Sequence, residues 1–183
     1  TPGKLTIGTG LPAYAPWVLE DTPESGEGFE AAVAYAIAAE LGFAAEDVVW
    51  VRTTFEEAIA PGAKNFDFNL QQYTITEERK ANVDFSEAYY VTTQAVVTIK
   101  GSAAEGVTDL AGLKDLLIGA QTGTTSFKAI EEIIAPTAGA QVFDSNDFAK
   151  AALAAGTIDA IVVDLPTAFF LGSAPAEFGG LDD

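Results

Sequence analysis

The sequence predicts an α/β fold built on parallel sheets with helices on both faces. Short β-branched or alternating runs lead into polar turns and then into helical patterns as far as Phe85, and the same order recurs in the second half. Strands that alternate with helices in this way form parallel sheets. The chain has 183 residues, of which 49% are hydrophobic, enough for the core of one domain or of two small lobes.

Three strands are predicted in the first half of the chain. Their residues are Lys4–Thr9, Val48–Val51 and Phe66–Leu70. Between the first two strands, apolar residues recur every four positions, which predicts the buried face of a helix closed by Gly42. The residues of that face are Phe29, Val33, Ile37 and Leu41.

Two further helix starts are marked by capping residues. Thr54 and Glu57 have capping-box spacing, and Thr76 is placed as an N-cap before two glutamates whose charge suits the positive helix end. Arg79 falls in the early turn of that last helix, where a cation is unfavourable, so its position suggests a task other than helix stability. Its guanidinium matches a carboxylate with two parallel hydrogen bonds. The alternative is a surface ion pair with a neighbouring Glu.

Side chains suited to a ligand follow each of these strands. Prolines on both sides of Tyr14 stiffen a loop that also holds Trp17, although either ring serves as well to cover the edge of the core. In open α/β sheets, ligands settle beyond the carboxyl ends of the strands. One crevice is therefore expected to collect Tyr14, Phe55, Gln72, Thr74 and Arg79.

The second half repeats the alternation. The run Tyr89–Lys100 predicts an unusually long strand. The predicted elements that follow are a helix at Asp109–Leu113, a strand at Leu116–Ala120, a helix through Phe127, Ile130, Ile133 and Ile134, a strand at Gln141–Phe143, a helix at Asn146–Ala155, a strand at Ile158–Val163 and a helix from Pro166.

Two positions in the second half suit charged groups. Thr124 and Thr125 lie in a Gly/Thr/Ser turn between a strand and a helix, where hydroxyls and backbone N–H groups either bind an anion or simply cap the helix. Asp164 follows the last strand, where it is either an N-cap or an acceptor for an ammonium group.

Composition excludes several classes of function. The net charge of -18 and the pI near 4.1 disfavour binding to nucleic acid or to an anionic membrane. The chain has no Cys and no His, which excludes a thiolate metal site and a Ser-His-Asp hydrolase. Neither a metal nor a cofactor is predicted. No apolar run is long enough to span a bilayer, and the first residues are not a signal peptide.

Four motifs, in this order, resemble those of the amino-acid-binding solute-binding proteins of ABC importers, which have the type II periplasmic binding protein fold. The motifs are Gly28-Phe29-Glu30, the run Thr74–Arg79 with Val83–Ser86 and Tyr89-Tyr90, the turn Gln121–Thr125, and Ile158–Asp164.

The resemblance implies two lobes, residues 1–94 and 95–183, joined by a hinge near Thr93–Ala95. It also implies a C-terminal return segment to the first lobe. The sequence ends at Asp183 before such a segment, so we expect a C-terminally truncated chain.

For the site, the resemblance implies a zwitterion clamp. Arg79 with Thr124 and Thr125 would bind the α-carboxylate, and Asp164 the α-ammonium group. An aromatic residue from the loop of Tyr14, with Trp17 as second choice, and Phe55 would enclose the side chain of the ligand.

The function implied is that of a monomeric extracytoplasmic receptor, periplasmic or anchored at the cell surface and lacking its leader here, which passes a free amino acid to a membrane permease. Two alternatives share the scaffold: a lyase similar to cyclohexadienyl dehydratase, for which no spare acid-base pair is found, and the sensing domain of a signalling receptor. Gly10 stands where basic-amino-acid binders of the family carry an acidic residue, and Gln71 and Gln72 suit a polar, uncharged ligand side chain.

Overall fold

The computed structural model describes residues 3–173, and the chain divides into two compact units, Thr1–Tyr89 and Tyr90–Asp183. Each unit has a sheet with parallel strands and flanking helices, so the predicted α/β class is confirmed. The lobes predicted at 1–94 and 95–183 divide slightly later in the chain. That assignment, together with the hinge, stays a prediction.

Unit 1 contains a three-stranded parallel sheet. Its central strand is β1, Leu5–Gly10, which pairs with β2, Val48–Thr53, on one side and with the short β3, Phe68–Asn69, on the other. Because the strands are parallel, their carboxyl ends lie at one edge of the sheet. The three α-helices are α1 (Phe29–Glu40), α2 (Phe55–Ile59) and α3 (Glu77–Lys80).

The predicted buried face of α1 is wrong at its two ends. Val33 packs partly buried against the core, but Phe29 is 40% exposed and Leu41 is 59% exposed, and the fully buried side chains are alanines and one glutamate. Four residues overshoot one helical turn by about 40°, so a strict row of fourth residues winds off the contact face. Small side chains also let the helix lie close to β1. The buried residues are Glu30, Ala31, Ala34 and Ala38.

Backbone groups hold both ends of α1. At its start, the N–H of Phe29 donates to the Pro16 carbonyl (3.0 Å) and the N–H of Glu30 to the Trp17 carbonyl (2.9 Å). A side chain at Gly28 would lie 2.4 Å from that second carbonyl oxygen, so only glycine fits there. At the other end Gly42 has φ +84°, and its N–H and that of the next residue bond back to the last turn, which confirms the predicted stop.

Unit 2 contains a four-stranded mixed sheet in the order β4-β7-β5-β6. The strands are β4 (Gln94–Val97), β5 (Ile118–Gln121), β6 (Gln141–Phe143) and β7 (Ala160–Asp164), and β4 alone among them runs antiparallel to its neighbour. The helices are α4 (Thr125–Ala129), which continues as the π-helical turn Ile130–Ile134, α5 (Asn146–Ala154) and α6 (Leu165–Ser173).

Two predicted elements of unit 2 are wrong. The long strand Tyr89–Lys100 is limited to Gln94–Val97, because only these residues have partners along β7. The predicted helix Asp109–Leu113 is a series of turns. There the Asp109 carboxylate accepts a hydrogen bond from the N–H of Gly112 (2.8 Å), and such a local bond, together with a glycine, competes with helix formation.

Among residues 3–173, no helix combines the length and the apolar character needed to cross a bilayer.

Candidate ligand-binding residues

Arg79 is buried in unit 1. The predicted cap is confirmed, since the hydroxyl of Thr76 accepts a hydrogen bond from the Arg79 N–H (3.2 Å) at the start of α3. The side chain is only 7% exposed, and its Nη1 donates to the Thr74 carbonyl (2.8 Å). The alternative of a surface arginine is therefore wrong, because the guanidinium lies inside the unit.

Two neighbouring aromatic rings lie against this guanidinium. Its central carbon lies 5.4 Å from the centre of the Phe55 ring and 5.5 Å from that of Tyr73, within the range of cation–π attraction. The two rings lie 4.4 Å apart at 33° to each other, and the Tyr73 hydroxyl donates to the Phe55 carbonyl. Burial raises the pKa of Tyr73 well above its ordinary value, with Arg79 opposing the shift, so the hydroxyl remains a donor at neutral pH.

The helix that carries Phe55 begins at a complete capping box, as predicted. The Thr54 hydroxyl accepts from the N–H of Glu57 (3.2 Å), and the Glu57 carboxylate accepts from the N–H of Thr54 (2.9 Å). These bonds hold the pKa of Glu57 below its usual range. Phe55 is consequently fixed as the first residue of α2, directly after β2.

Gln71 belongs to the carboxyl edge of the sheet. It is buried, and its side-chain oxygen accepts from the hydroxyl of Thr53, the last residue of β2 (3.2 Å). The same side chain limits the space at Gly10, where a Cβ would lie 3.1 Å from the Gln71 amide nitrogen and 2.8 Å from the Pro12 carbonyl oxygen. Position 10 has no room for an acidic side chain in this arrangement.

Gln72 is held by a buried carboxylate that sequence reasoning treated only as part of a motif. Glu30, in the first turn of α1, is 1% exposed. It accepts a hydrogen bond from the Gln72 N–H (2.8 Å), another from the Gln72 amide group and a third from the Tyr89 hydroxyl (2.5 Å). A buried carboxylate needs hydrogen-bond donors, and here they come from residues far along the chain, so no local pattern in α1 marked Glu30 as buried.

The two aromatic residues of the loop after β1 differ in how deeply they are buried. The Tyr14 carbonyl accepts from the N–H groups of Trp17 (3.0 Å) and Val18 (2.9 Å), which makes a tight turn with Tyr14 half-buried. Trp17 is 3% exposed and its ring meets Phe29 edge-on at 6.0 Å. Trp17 therefore packs in the core. Among the predicted residues of unit 1, Arg79 contacts both Thr74 and Phe55.

The predicted residues of unit 2 lie at the start of α4 and at the end of β7. Thr124 caps α4, since its hydroxyl accepts from the N–H of Phe127 (3.1 Å) and donates to the Gln121 carbonyl (2.7 Å). Thr125 is the first residue of that helix.

Two residues that sequence reasoning missed link α4 to Asp164. The hydroxyl of the buried Ser126 donates to the Gln94 side-chain oxygen (2.5 Å), and the Gln94 amide nitrogen donates to Asp164 (2.6 Å). Gln94 and Asp164 are cross-strand partners on β4 and β7. Their proximity depends on that antiparallel pairing, which no local pattern in the sequence predicted.

Unit 2 also has a groove of about 440 Å³ between β4 and α6. Its walls include Val96, Lys100, Glu105, Leu165 and Phe169, and none of the predicted ligand-binding residues lines it. Within residues 3–173, no group of three or more acidic side chains is placed to hold a metal ion.

Comparison with known proteins identifies the family. Residues 5–164 match the profile of the bacterial extracellular solute-binding proteins, family 3. The chain belongs to this family. The resemblance carried by the four sequence motifs is thereby confirmed.

Two curated relatives are binding proteins by name. The chain is 31% identical to the L-arginine-binding protein of Pseudomonas aeruginosa over 83% of its own length, and 32% identical to the glutamine-binding protein of Geobacillus stearothermophilus over 78%. It spans 58% and 54% of the lengths of these two relatives.

Solved structures of the family share the fold. An ancestral arginine-binding protein bound to glutamine matches with a TM-score of 0.80 at 31% identity, over 98% of this chain and 77% of that one. An ancestral amino-acid-binding protein, described as a precursor of cyclohexadienyl dehydratase, matches with a TM-score of 0.78 at 32% identity, over 94% of this chain and 75% of that one. The predicted type II periplasmic binding protein fold is confirmed.

Proposed function

We propose that this chain is the receptor part of an ABC importer for amino acids, located outside the cytoplasm, and that it binds a free, polar amino acid. The observation that carries the proposal is the guanidinium of Arg79, buried against the adjacent Phe55 and Tyr73 rings. Family membership and the names of the relatives support the same class of ligand. A membrane permease is the partner of such a receptor, and we propose that the receptor acts as a monomer.

In unit 1, Arg79 is proposed to bind the α-carboxylate. Its bond to the Thr74 carbonyl and its two ring neighbours fix the orientation of the guanidinium before a ligand arrives. A pre-oriented donor loses little side-chain entropy on binding. Phe55 and Tyr14 are proposed to contact the ligand side chain, with Gln72 and Thr74 in the adjoining turn.

In unit 2, Asp164 is proposed to accept hydrogen bonds from the α-ammonium group, and Thr124 and Thr125 to donate to the carboxylate. The hydrogen-bond chain through Gln94 supports this assignment, because it fixes one carboxylate oxygen of Asp164 relative to the start of α4. The lobe closure implied by the family resemblance stays a prediction.

The choice of ligand side chain rests on the tight space at Gly10. Since no acidic side chain fits there, we propose a polar, uncharged amino acid, with L-glutamine the first choice. Gln71 and Gln72 were expected to select such a ligand, yet their side chains already bond to Thr53 and Glu30.

Isothermal titration tests the proposal. The chain, unfolded and refolded to remove bound ligand, is titrated with L-glutamine, L-arginine and L-histidine, and then with the other common amino acids. We expect binding of one or a few of them, weakened at least about tenfold in Arg79→Lys, because a lysine does not reproduce the two-pronged contact. The exposed neighbour provides the control, Lys80→Ala, which should bind as the wild type does. A folded chain that binds no amino acid, or an Arg79→Lys variant with unchanged affinity, would contradict the proposal.

We further propose that the ligand leaves unchanged, although one structural relative is described as the precursor of a dehydratase. Two carboxylates are relevant, that of the predicted residue Asp164 and that of Glu30 beside Gln72, and both accept hydrogen bonds from neighbouring side chains. The oxygens of both groups are thus engaged as acceptors, and Glu30 is 1% exposed, so we propose no acid-base role for either. Mass spectrometry of the ligand recovered after long incubation should show its original mass, and a loss of water would refute this assignment.

A further inference from the structure

Glu30 brings together three segments of unit 1 that are distant in sequence. It lies in the first turn of α1, and its carboxylate contacts Gln72, in the turn after β3, and Tyr89, the last residue of the unit. Because Glu30 is almost completely buried, its carboxylate acts on other residues of the protein rather than on a ligand.

The contact with Gln72 determines a backbone conformation. Gln72 has φ +52°, a left-handed value that non-glycine residues adopt only when their surroundings hold them there. Glu30 accepts from both the backbone N–H and the side-chain amide of this residue. The two bonds fix the start of the turn that carries Tyr73 and Thr74, the neighbours of Arg79.

Two successive residues of α1 hold Tyr89. The Tyr89 hydroxyl donates to Glu30, and its ring stacks on Phe29 at 6.2 Å with 28° between the planes. Burial of the hydroxyl, and next the charge of Glu30, raise the pKa of Tyr89 above its ordinary value, so the group is a proton donor throughout the neutral range. The end of unit 1 is thus attached to the same helical turn as Gln72.

We propose that Glu30 is a positioning residue, which sets the turn Gln72–Thr74 and the end of unit 1 at Tyr89 together. The inference rests on the proposed function for its consequence, namely that ligand affinity depends on a buried side chain that the ligand does not touch. A carboxylate suits this position because the three groups described here, two of Gln72 and one of Tyr89, all donate to it. A glutamine at this position would direct its own N–H₂ group at a donor.

The first test needs no ligand. Hydrogen exchange is measured by NMR at the backbone amide of Gln72 in the wild type, in Glu30→Gln and in Tyr89→Phe, which removes one hydroxyl and leaves Gln72 unaltered. We expect exchange about tenfold faster in both variants, as for the loss of about one hydrogen bond. Tyr35→Phe is the matched control. It removes a hydroxyl from α1, the helix that carries Glu30, but this hydroxyl bonds to Glu24 and Trp50 rather than to Glu30.

Two outcomes of this exchange measurement would overturn the inference. One is an unchanged rate at Gln72 in Tyr89→Phe. The other is an equal rise in the Tyr35→Phe control, which would show a general loosening of α1. Should Glu30→Gln fail to fold, the conservative Tyr89→Phe variant alone decides the question.

The second test measures ligand affinity. L-glutamine and L-arginine are titrated into the wild type, each single variant and the double variant Glu30→Gln/Tyr89→Phe. We expect each single variant to bind several-fold more weakly and the double variant to bind no more weakly than Glu30→Gln alone, because Tyr89 acts through Glu30. Fully additive losses would contradict the inference. If the wild type binds neither amino acid, the proposed function is in question, whereas the exchange rates still decide the coupling.

Discussion

Replacing Arg79 with methionine tests how much its buried guanidinium stabilises unit 1 in the absence of ligand. Methionine keeps an unbranched apolar stem but lacks the charged guanidinium. The substitution deletes the hydrogen bond to the Thr74 carbonyl and both ring contacts, to Phe55 and Tyr73. Because the side chain is buried, water cannot fully replace the hydrogen bond and the ring contacts that the substitution removes.

The expected magnitude follows from these contacts. A hydrogen bond from a charged donor contributes about 1.5 to 3 kcal/mol, and each cation–π contact about 0.5 to 1 kcal/mol. Methionine no longer requires a charge to be buried, which offsets part of the loss. We therefore expect Arg79→Met to lower the free energy of unfolding by about 2 to 4 kcal/mol, and Arg79→Lys by roughly half of that, since lysine retains the charge and can still donate a hydrogen bond.

Urea unfolding followed by circular dichroism measures the effect, provided that the slope of the transition is the same in variant and wild type. The control is Lys80→Ala, which removes an exposed ion pair with Glu77 and should cost no more than about 0.5 kcal/mol. A loss below about 1 kcal/mol for Arg79→Met, at an unchanged slope, would refute the account of Arg79 as a stabilising residue.

Three further predictions concern stability. Thr54→Ala should cost about 1 kcal/mol by removing the capping box of α2, and Thr54→Ser should restore most of it; equal losses in the two variants would contradict the capping role. Ala34→Leu should cost about 1 to 3 kcal/mol in urea unfolding because its site on α1 is fully buried, whereas Ala36→Leu on the exposed face should be near neutral. Burial raises the pKa of Tyr73 in the folded chain, so just above pH 10.0 this residue ionises only in the unfolded chain. The contribution of Tyr73 to the free energy of unfolding is therefore complete below pH 10.0 and falls by about 1.4 kcal/mol per pH unit above it. Tyr73→Phe should make the decline measured between pH 9 and 11 shallower, and an unchanged slope would show that this hydroxyl is not protected.

Local hydrogen bonds were the features of the fold that the sequence predicted best. The caps at Thr54 and Thr76 and the stop at Gly42 involve residues within a few positions of one another, so their patterns are complete in the sequence. The order of strands and helices is likewise marked by patterns within short segments. These features were sufficient to predict the fold class and to place Arg79 at the start of a helix.

Features that depend on distant residues were predicted poorly. The burial of Glu30 is stabilised by donors from Gln72 and Tyr89, which lie far along the chain, and no pattern within α1 announces them. The length of β4 is limited by its partner β7 rather than by its own β-branched residues. Gln94 was missed for the same reason, since its contact with Asp164 exists only in the folded sheet.

At the start of each α-helix described in unit 1, N–H groups already donate to oxygen atoms of the protein. Carbonyls of Pro16 and Trp17 accept from the first N–H groups of α1, and hydroxyls of Thr54 and Thr76 accept from those of α2 and α3. In the proposed site a side chain of this unit, Arg79, binds the carboxylate, and a single nucleotide change is enough to replace that side chain. The same side chain is predicted above to stabilise the unit. On this proposal, a lineage that lost Arg79 would lose ligand affinity and stability in one step, so retention of the ligand and retention of the fold are linked.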